Sequence, residues 1–241
     1  MSAAVVELLR QHPVLAILRG VPAGWVVELG HALVAGGVRC LEVAFTDADA
    51  AEKIAALAAQ LPAETVVGAG TVTTPQRAAA AAAAGARFLV TPHVVPAVSA
   101  VARERDLPVL SGAMTPGEIA SALEHGSAFV KLFPAGPLGP GYLRALLGPY
   151  LELEVFAVGG VGRGNARAFL EAGAVGLGIG GALTTLDWDD PDLASVTALA
   201  RELDALVTDV RVDDRERSSR RGGWRTSRRR ASASGMMASE Y

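Results

Sequence analysis

Cysteine is all but missing from this chain: Cys40 is the only one in 241 residues. A single thiol excludes an internal disulfide and cannot alone build a thiolate metal site, so nothing argues for an oxidising compartment. Apolar runs long enough to span a bilayer are absent too, although 51% of the residues are hydrophobic. Glu7 and Arg10 interrupt the N-terminal stretch where a secretory leader would be uninterrupted. The expected compartment is therefore the cytoplasm, with no membrane partner. Lysine is also scarce, since 20 of the 22 basic residues are arginine and only Lys53 and Lys131 are lysine. Nor is there a surplus of positive charge: the net charge is −3, split between a body at −8 and residues 211–241 at +5. An acidic body does not suggest a nucleic-acid binder.

What the chain does have is a repeat of kind. From Val14 to about Gly181, short runs rich in Val, Leu, Ile and Ala alternate with Gly or Pro turns and Ala-rich helical segments. The strand candidates are Val14–Leu18, Cys40–Phe45, Thr65–Gly68, Phe88–Thr91, Val109–Ser111, Phe129–Phe133, Val155–Val158 and Val175–Ile179. Helices are expected near Trp25–Ala35, Ala48–Gln60, Pro75–Ala84, Val95–Arg105, Pro116–Glu124, Gly141–Leu147 and Gly164–Ala172. Strands apolar on both sides, spaced by roughly 20–25 residues, are what a buried parallel sheet with crossover helices produces. Eight such units favour a closed (β/α)8 TIM barrel over an open doubly wound sheet. Helix signals agree: Thr74 precedes Pro75, Thr115 precedes Pro116, and glycines end the segments at 35–37, 83–85 and 171–173. A leading helix, Ala3–Arg10, would close the barrel floor, and Leu193–Val207 would be the last outer helix. The barrel is thus expected over 1–209. From 210 to 241 Arg, Ser, Gly and Asp dominate without apolar periodicity, which reads as a disordered tail.

The sixth strand candidate sets Lys131 at the centre of an apolar run, on the same face as Phe129 and Phe133. Burial there lowers an amine's pKa and makes it nucleophilic. The arginine bias adds weight, because a guanidinium cannot deprotonate to attack a carbonyl. The plain alternative is a lysine whose head merely pairs with a carboxylate. In the second strand Leu41, Val43 and Phe45 share one face, leaving Cys40, Glu42 and Ala44 on the barrel face. A carboxyl between two small neighbours has room beside it for a ligand; a structural partner for Lys131 is the duller reading. Nucleophile and proton shuttle are the two parts an imine-forming enzyme needs. Gly159 and Gly160 end the seventh strand and Gly180 and Gly181 end the eighth, where this architecture often cradles phosphate on backbone N–H groups, although tight turns need glycine as well. Arg19, at the end of the first strand, is a candidate clamp for a carboxylate or phosphate. His93 reads as a loop residue rather than a metal ligand, since no second histidine stands at ligand spacing. Cys40 reads as a small buried filler.

These residues fall into segments that resemble the KDPG/KHG aldolases, the 2-keto-3-deoxy-6-phosphogluconate and 4-hydroxy-2-oxoglutarate aldolases, with 6-phosphogalactonate aldolases as near relatives. The segments are Ala16-Ile17-Leu18-Arg19-Gly20, Gly36-Gly37-Val38 into Leu41-Glu42-Val43, Gly68-Ala69-Gly70-Thr71-Val72, Thr91-Pro92, Lys131-Leu132-Phe133-Pro134-Ala135 and Val158-Gly159-Gly160-Val161. The resemblance implies a class I aldolase with neither metal nor cofactor, commonly a homotrimer, that releases pyruvate from a phosphorylated 2-keto-3-deoxy sugar acid. It implies Lys131 as the Schiff-base lysine, Glu42 as the acid/base, and Thr71, Pro92 and Phe133 along the substrate channel. Thr46 occupies a substrate-binding position where many gluconate-type members have arginine, and Ala182 stands where they have serine. The AILRG start, AVGGV, and the run from Phe133-Pro134 to Leu138-Gly139-Pro140-Gly141-Tyr142 are closer to the galactonate branch. Two rivals stand beside this reading: a non-covalent phosphate-binding isomerase on the same fold, and a nucleic-acid arm built on Trp224 and the arginines around it.

Overall fold

A computed structural model describes residues 2–150 and 152–212 of the chain. Eight parallel strands close on themselves in sequence order, β1 pairing with both β2 and β8. They are β1 (Val14–Leu18), β2 (Cys40–Ala44), β3 (Val66–Gly70), β4 (Leu89–Val90), β5 (Val109–Ala113), β6 (Phe129–Leu132), β7 (Val155–Val158) and β8 (Gly176–Ile179). A helix α1 (Ala3–Gln11) precedes them, and the crossovers carry α2 (Val26–Ala35), α3 (Ala50–Gln60), α4 (Pro75–Ala83), α5 (Pro96–Glu104), α6 (Pro116–Glu124), α7 (Ala135–Leu147) and α8 (Ala166–Glu171). After β8 come the short α9 (Gly181–Thr184) and a helix α10 over 193–212. The expected (β/α)8 barrel with its leading helix is what forms.

Alternation along each strand builds two cores. Leu41, Val43, Val130 and Leu132 face outward beneath the helices, in one apolar layer with Leu29, Ile54 and Phe169. Leu15, Ile17, Cys40, Val66, Phe88, Leu110, Phe129, Phe156 and Val158 face inward, and Val5, Val6 and Leu9 of α1 plug the floor beneath them. Phe129 and Phe156 meet edge to face at 5.2 Å, filling the barrel below Lys131. The filling is uneven by design of the sequence. Gly68 yields its side-chain volume to the Phe88 ring and Gly176 yields its own to Phe156, so large residues fill the lower barrel, while Gly70 and Gly112 give theirs to the Glu42 carboxyl and the Pro92 carbonyl.

Several expectations need correction. β3 runs to Gly70 and β5 to Ala113, beyond the ends expected at Gly68 and Ser111, because their glycines serve interior packing rather than turns. β4 keeps only two ladder residues. α7 begins at Ala135, six residues early, bridging a kink at Gly139 (φ 75°) ahead of Pro140. The barrel chain does not stop at 209 either: α10 is helical through 212 with Val210 buried. The rest of the expected tail, 213–241 with Trp224, lies outside the described residues. No helix among the described residues is long and apolar enough to cross a membrane.

Candidate active site

Lys131 enters the barrel from β6 in register with Gly112 of β5 and Phe156 of β7. Only 5% of it is exposed, and its Nζ stands 5.0 Å from the centroid of the Phe133 ring. Burial pulls this amine below the ordinary lysine value, Glu42 pulls it back up, and the Arg19 charge pushes it further down. Glu42 enters from β2 and is 1% exposed. Burial pushes its carboxyl above the ordinary range against the opposing effects of Lys131 and Arg19. Its Oε2 has no hydrogen-bond partner, and its Oε1 would be 2.6 Å from a Cβ at position 70, so only glycine leaves the carboxyl its place. Among the described residues the two groups feel each other's charge without a direct ion pair. A desolvated acid and a desolvated amine facing one interior have values shifted toward each other, which suits proton exchange.

Above them the strand ends open into a cavity of about 570 Å³, a volume that suits a small phosphorylated metabolite. Lys131, Arg19, Phe133, Gly159, Gly160, Gly180 and Gly181, all anticipated, line it. Gly159 and Gly160 hold φ of 85° and 74°, where an L side chain is strained, and a Cβ on Gly159 would lie 2.8 Å from the Phe133 ring. Asn165 braces that turn by accepting from Gly162 N–H at 2.9 Å and donating to the Gly160 carbonyl at 2.8 Å. The wall therefore presents bare backbone, which a phosphate can approach closely.

The other anticipated residues fall elsewhere. Glu42 lies outside the cavity wall. Thr71, at an unusual φ of 56°, stands behind Arg19 and accepts from its Nη2 at 3.4 Å. Pro92 is not in the wall: its carbonyl backs onto Gly112, beside Lys131. Thr46 is also off the wall, because its exposed hydroxyl turns to Asp47 at 3.2 Å. His93 is exposed in its loop, and Cys40 is buried among the inward apolar residues, its thiol pushed up to about 12. Ile17, Val158, Val161, Thr184 and Thr185 line the cavity without having been named as site residues, and Gly178 and Ala182, on either side of the 180–181 glycines, line it too. The paired threonines in the short segment after the 180–181 glycines were the available signal. No group of histidine, cysteine and carboxylate side chains capable of holding a metal occurs among the described residues.

The chain as a whole is similar to known proteins. The family model for KDPG and KHG aldolases matches residues 5–199. A 2-dehydro-3-deoxy-phosphogluconate aldolase of Treponema pallidum is 37% identical over 209 residues, covering 83% of this chain and 95% of its own. A 2-dehydro-3-deoxy-6-phosphogalactonate aldolase of Escherichia coli is 32% identical over 169 residues, 70% of this chain and 82% of its own. Among solved structures, a KDPG aldolase of Legionella pneumophila, with pyruvate captured at low pH as a covalent carbinolamine intermediate, superposes with a TM-score of 0.69 at 25% identity, covering 85% of this chain and 97% of that one.

Proposed function

The chain belongs to the KDPG and KHG aldolase family, and we propose that it cleaves 2-dehydro-3-deoxy-6-phosphogluconate to pyruvate and glyceraldehyde 3-phosphate through an imine on Lys131. The neutral amine adds to the keto carbon, Glu42 delivers a proton to the carbinolamine oxygen, and water leaves to give an iminium. The iminium is an electron sink. Glu42, now a carboxylate, takes the proton of the C4 hydroxyl through a water, the C3–C4 bond breaks into the iminium, and the aldehyde phosphate departs. Protonation of the enamine at C3 and hydrolysis of the resulting iminium release pyruvate and restore the amine.

The observation that carries this reading is Lys131, desolvated above the Phe129–Phe156 pair, in a cavity whose far wall is the bare backbone of 159–160 and 180–181. In this reading Arg19 holds the substrate carboxylate, the glycines hold the phosphate, and Phe133 shapes the channel. Thr71 and Pro92 support it from behind, and Thr46 approaches substrate only from the rim. A second substrate, the galactonate epimer, is favoured by the Escherichia coli relative, and 4-hydroxy-2-oxoglutarate, cleaved to pyruvate and glyoxylate, is a third. A homotrimer in the cytoplasm completes the proposal, and sedimentation tests its assembly. Pyruvate release from each of the three keto acids, coupled to lactate dehydrogenase, tests the reaction. Loss of pyruvate release from the gluconate substrate in Lys131→Arg is expected; release that survives Lys131→Arg would overturn the imine, and keto acid converted by the wild type without pyruvate release would instead favour the non-covalent isomerase.

A further inference from the structure

Lys53, the chain's only other lysine, is buried as well, yet no step of the reaction uses it. Its side chain is 5% exposed, and its Nζ lies 2.9 Å from Asp47 and 2.7 Å from Asp49. Burial alone would pull this amine down, but its bonds to Asp49 and Asp47 outweigh that and hold it above the ordinary value. Asp49 is the one-turn neighbour that a solvated helix pair would use. Asp47 is different, for its side chain is only 12% exposed and its carboxylate reaches into another loop. There it accepts from the Gly20 N–H at 3.1 Å through Oδ2 and 3.3 Å through Oδ1, while the Thr46 hydroxyl donates to Oδ1 at 3.2 Å. Gly20 holds φ +66° with open space where a Cβ would be, so the glycine answers to backbone conformation and not to crowding.

The residue before Gly20 is Arg19, which lines the cavity and donates to Thr71 Oγ1 at 3.4 Å. Arg77 continues the series, donating to the Thr71 carbonyl at 3.4 Å and to Thr73 Oγ1 at 2.8 Å. The loops after β1, β2 and β3 are thereby clipped together at the cavity rim. A compact ammonium can stand between two carboxylates where a planar guanidinium would need a wider fork, which accounts for a lysine here in an arginine-rich chain.

We propose that Asp47, locked by Lys53, is a positioning residue: it fixes the backbone at Gly20 so that Arg19 stands over the cavity and receives the substrate. The consequence for turnover rests on the imine-aldolase reading, whereas the tether itself does not. Two measurements on the full chain separate them. Hydrogen exchange at the Gly20 amide should quicken by about tenfold or more in Asp47→Ala; equal exchange in the two proteins overturns the tether whatever the enzyme does. In steady-state assays with the phosphorylated keto acid, Asp47→Ala should raise KM about tenfold with a smaller change in kcat. Arg19→Met should do the same, and the double variant should be no worse than Arg19→Met alone. Asp47→Asn, which keeps an oxygen for Gly20, should recover most of the KM. Effects that multiply in the double variant, or a loss confined to kcat, would overturn the proposal. Should Asp47→Ala not fold, the combined Lys53→Met and Asp47→Leu protein takes its place, removing the buried charges and the Gly20 acceptor together, with the same expectations. A wild-type chain that cleaves no keto acid at all is a failure of the functional reading, with the exchange result still deciding the tether.

Discussion

Two buried lysines in one chain do opposite things because their neighbours differ. Lys53 has two carboxylates in direct contact and keeps its proton; Lys131 has an aromatic ring, a glycine strand and a carboxylate held at a distance, and burial wins. Only a neutral amine attacks a carbonyl, so the rate of borohydride trapping of pyruvate should rise with pH through a midpoint below the ordinary lysine value of 10.5. Arg19 depresses that midpoint, so Arg19→Met should move it to higher pH. Glu42 raises it, so Glu42→Gln should move it to lower pH; a midpoint that moves with neither variant would contradict the electrostatic account. Glu42 also marks stability. Its folded value lies above the ordinary 4.5, so the folded chain keeps a proton that the unfolded chain loses. Its contribution is complete below 4.5 and is lost as pH rises through the folded value. Urea unfolding across this range should therefore show wild type losing stability relative to Glu42→Gln as pH increases. Lys131 was legible in the sequence because a charge in an apolar strand is visible in one dimension. Asp47 was not, since its partner Gly20 is 27 residues away and only the barrel brings them together.

At the scale of elements, local chemistry sets most boundaries. Thr115 accepts from Glu118 N–H while the Glu118 carboxylate takes the N–H groups of Met114 and Thr115, closing a capping box ahead of Pro116. Thr115→Ala should cost about 1 kcal/mol of unfolding free energy with turnover retained, measured by urea denaturation; no loss would mean the cap is idle. Such caps were readable, as were the eight strands and the face each residue takes. The strand ends were harder. Gly70 and Gly112 fall beyond the expected strand ends, yet they lie inside strands, where the Glu42 carboxyl and the Pro92 carbonyl occupy their side-chain space. A one-dimensional pattern registers glycine's flexibility; here the fold uses its small size. The cavity wall was only partly legible for the same reason, since Ile17 and Val158 look like any strand residue until the barrel turns them inward.

Among the described residues the barrel is packed below by α1 and the phenylalanines and opens above, at the strand ends, into the cavity. That gradient gives one end rigidity and the other a site. α10 belongs to this unit: Val196, Ala200, Leu203, Val207 and Val210 are buried, and Thr197 donates to the Ala32 carbonyl at 2.9 Å. Ending the chain after residue 212 should therefore leave melting temperature and turnover within about twofold of the full chain, whereas lost turnover would assign 213–241 a part in catalysis. The proposed reaction depends on a covalent bond at one nitrogen. Borohydride reduction in the presence of pyruvate, followed by peptide mass analysis, should place a single reduced pyruvate adduct on Lys131; an unmodified Lys131, under conditions that label a control aldolase, would contradict it.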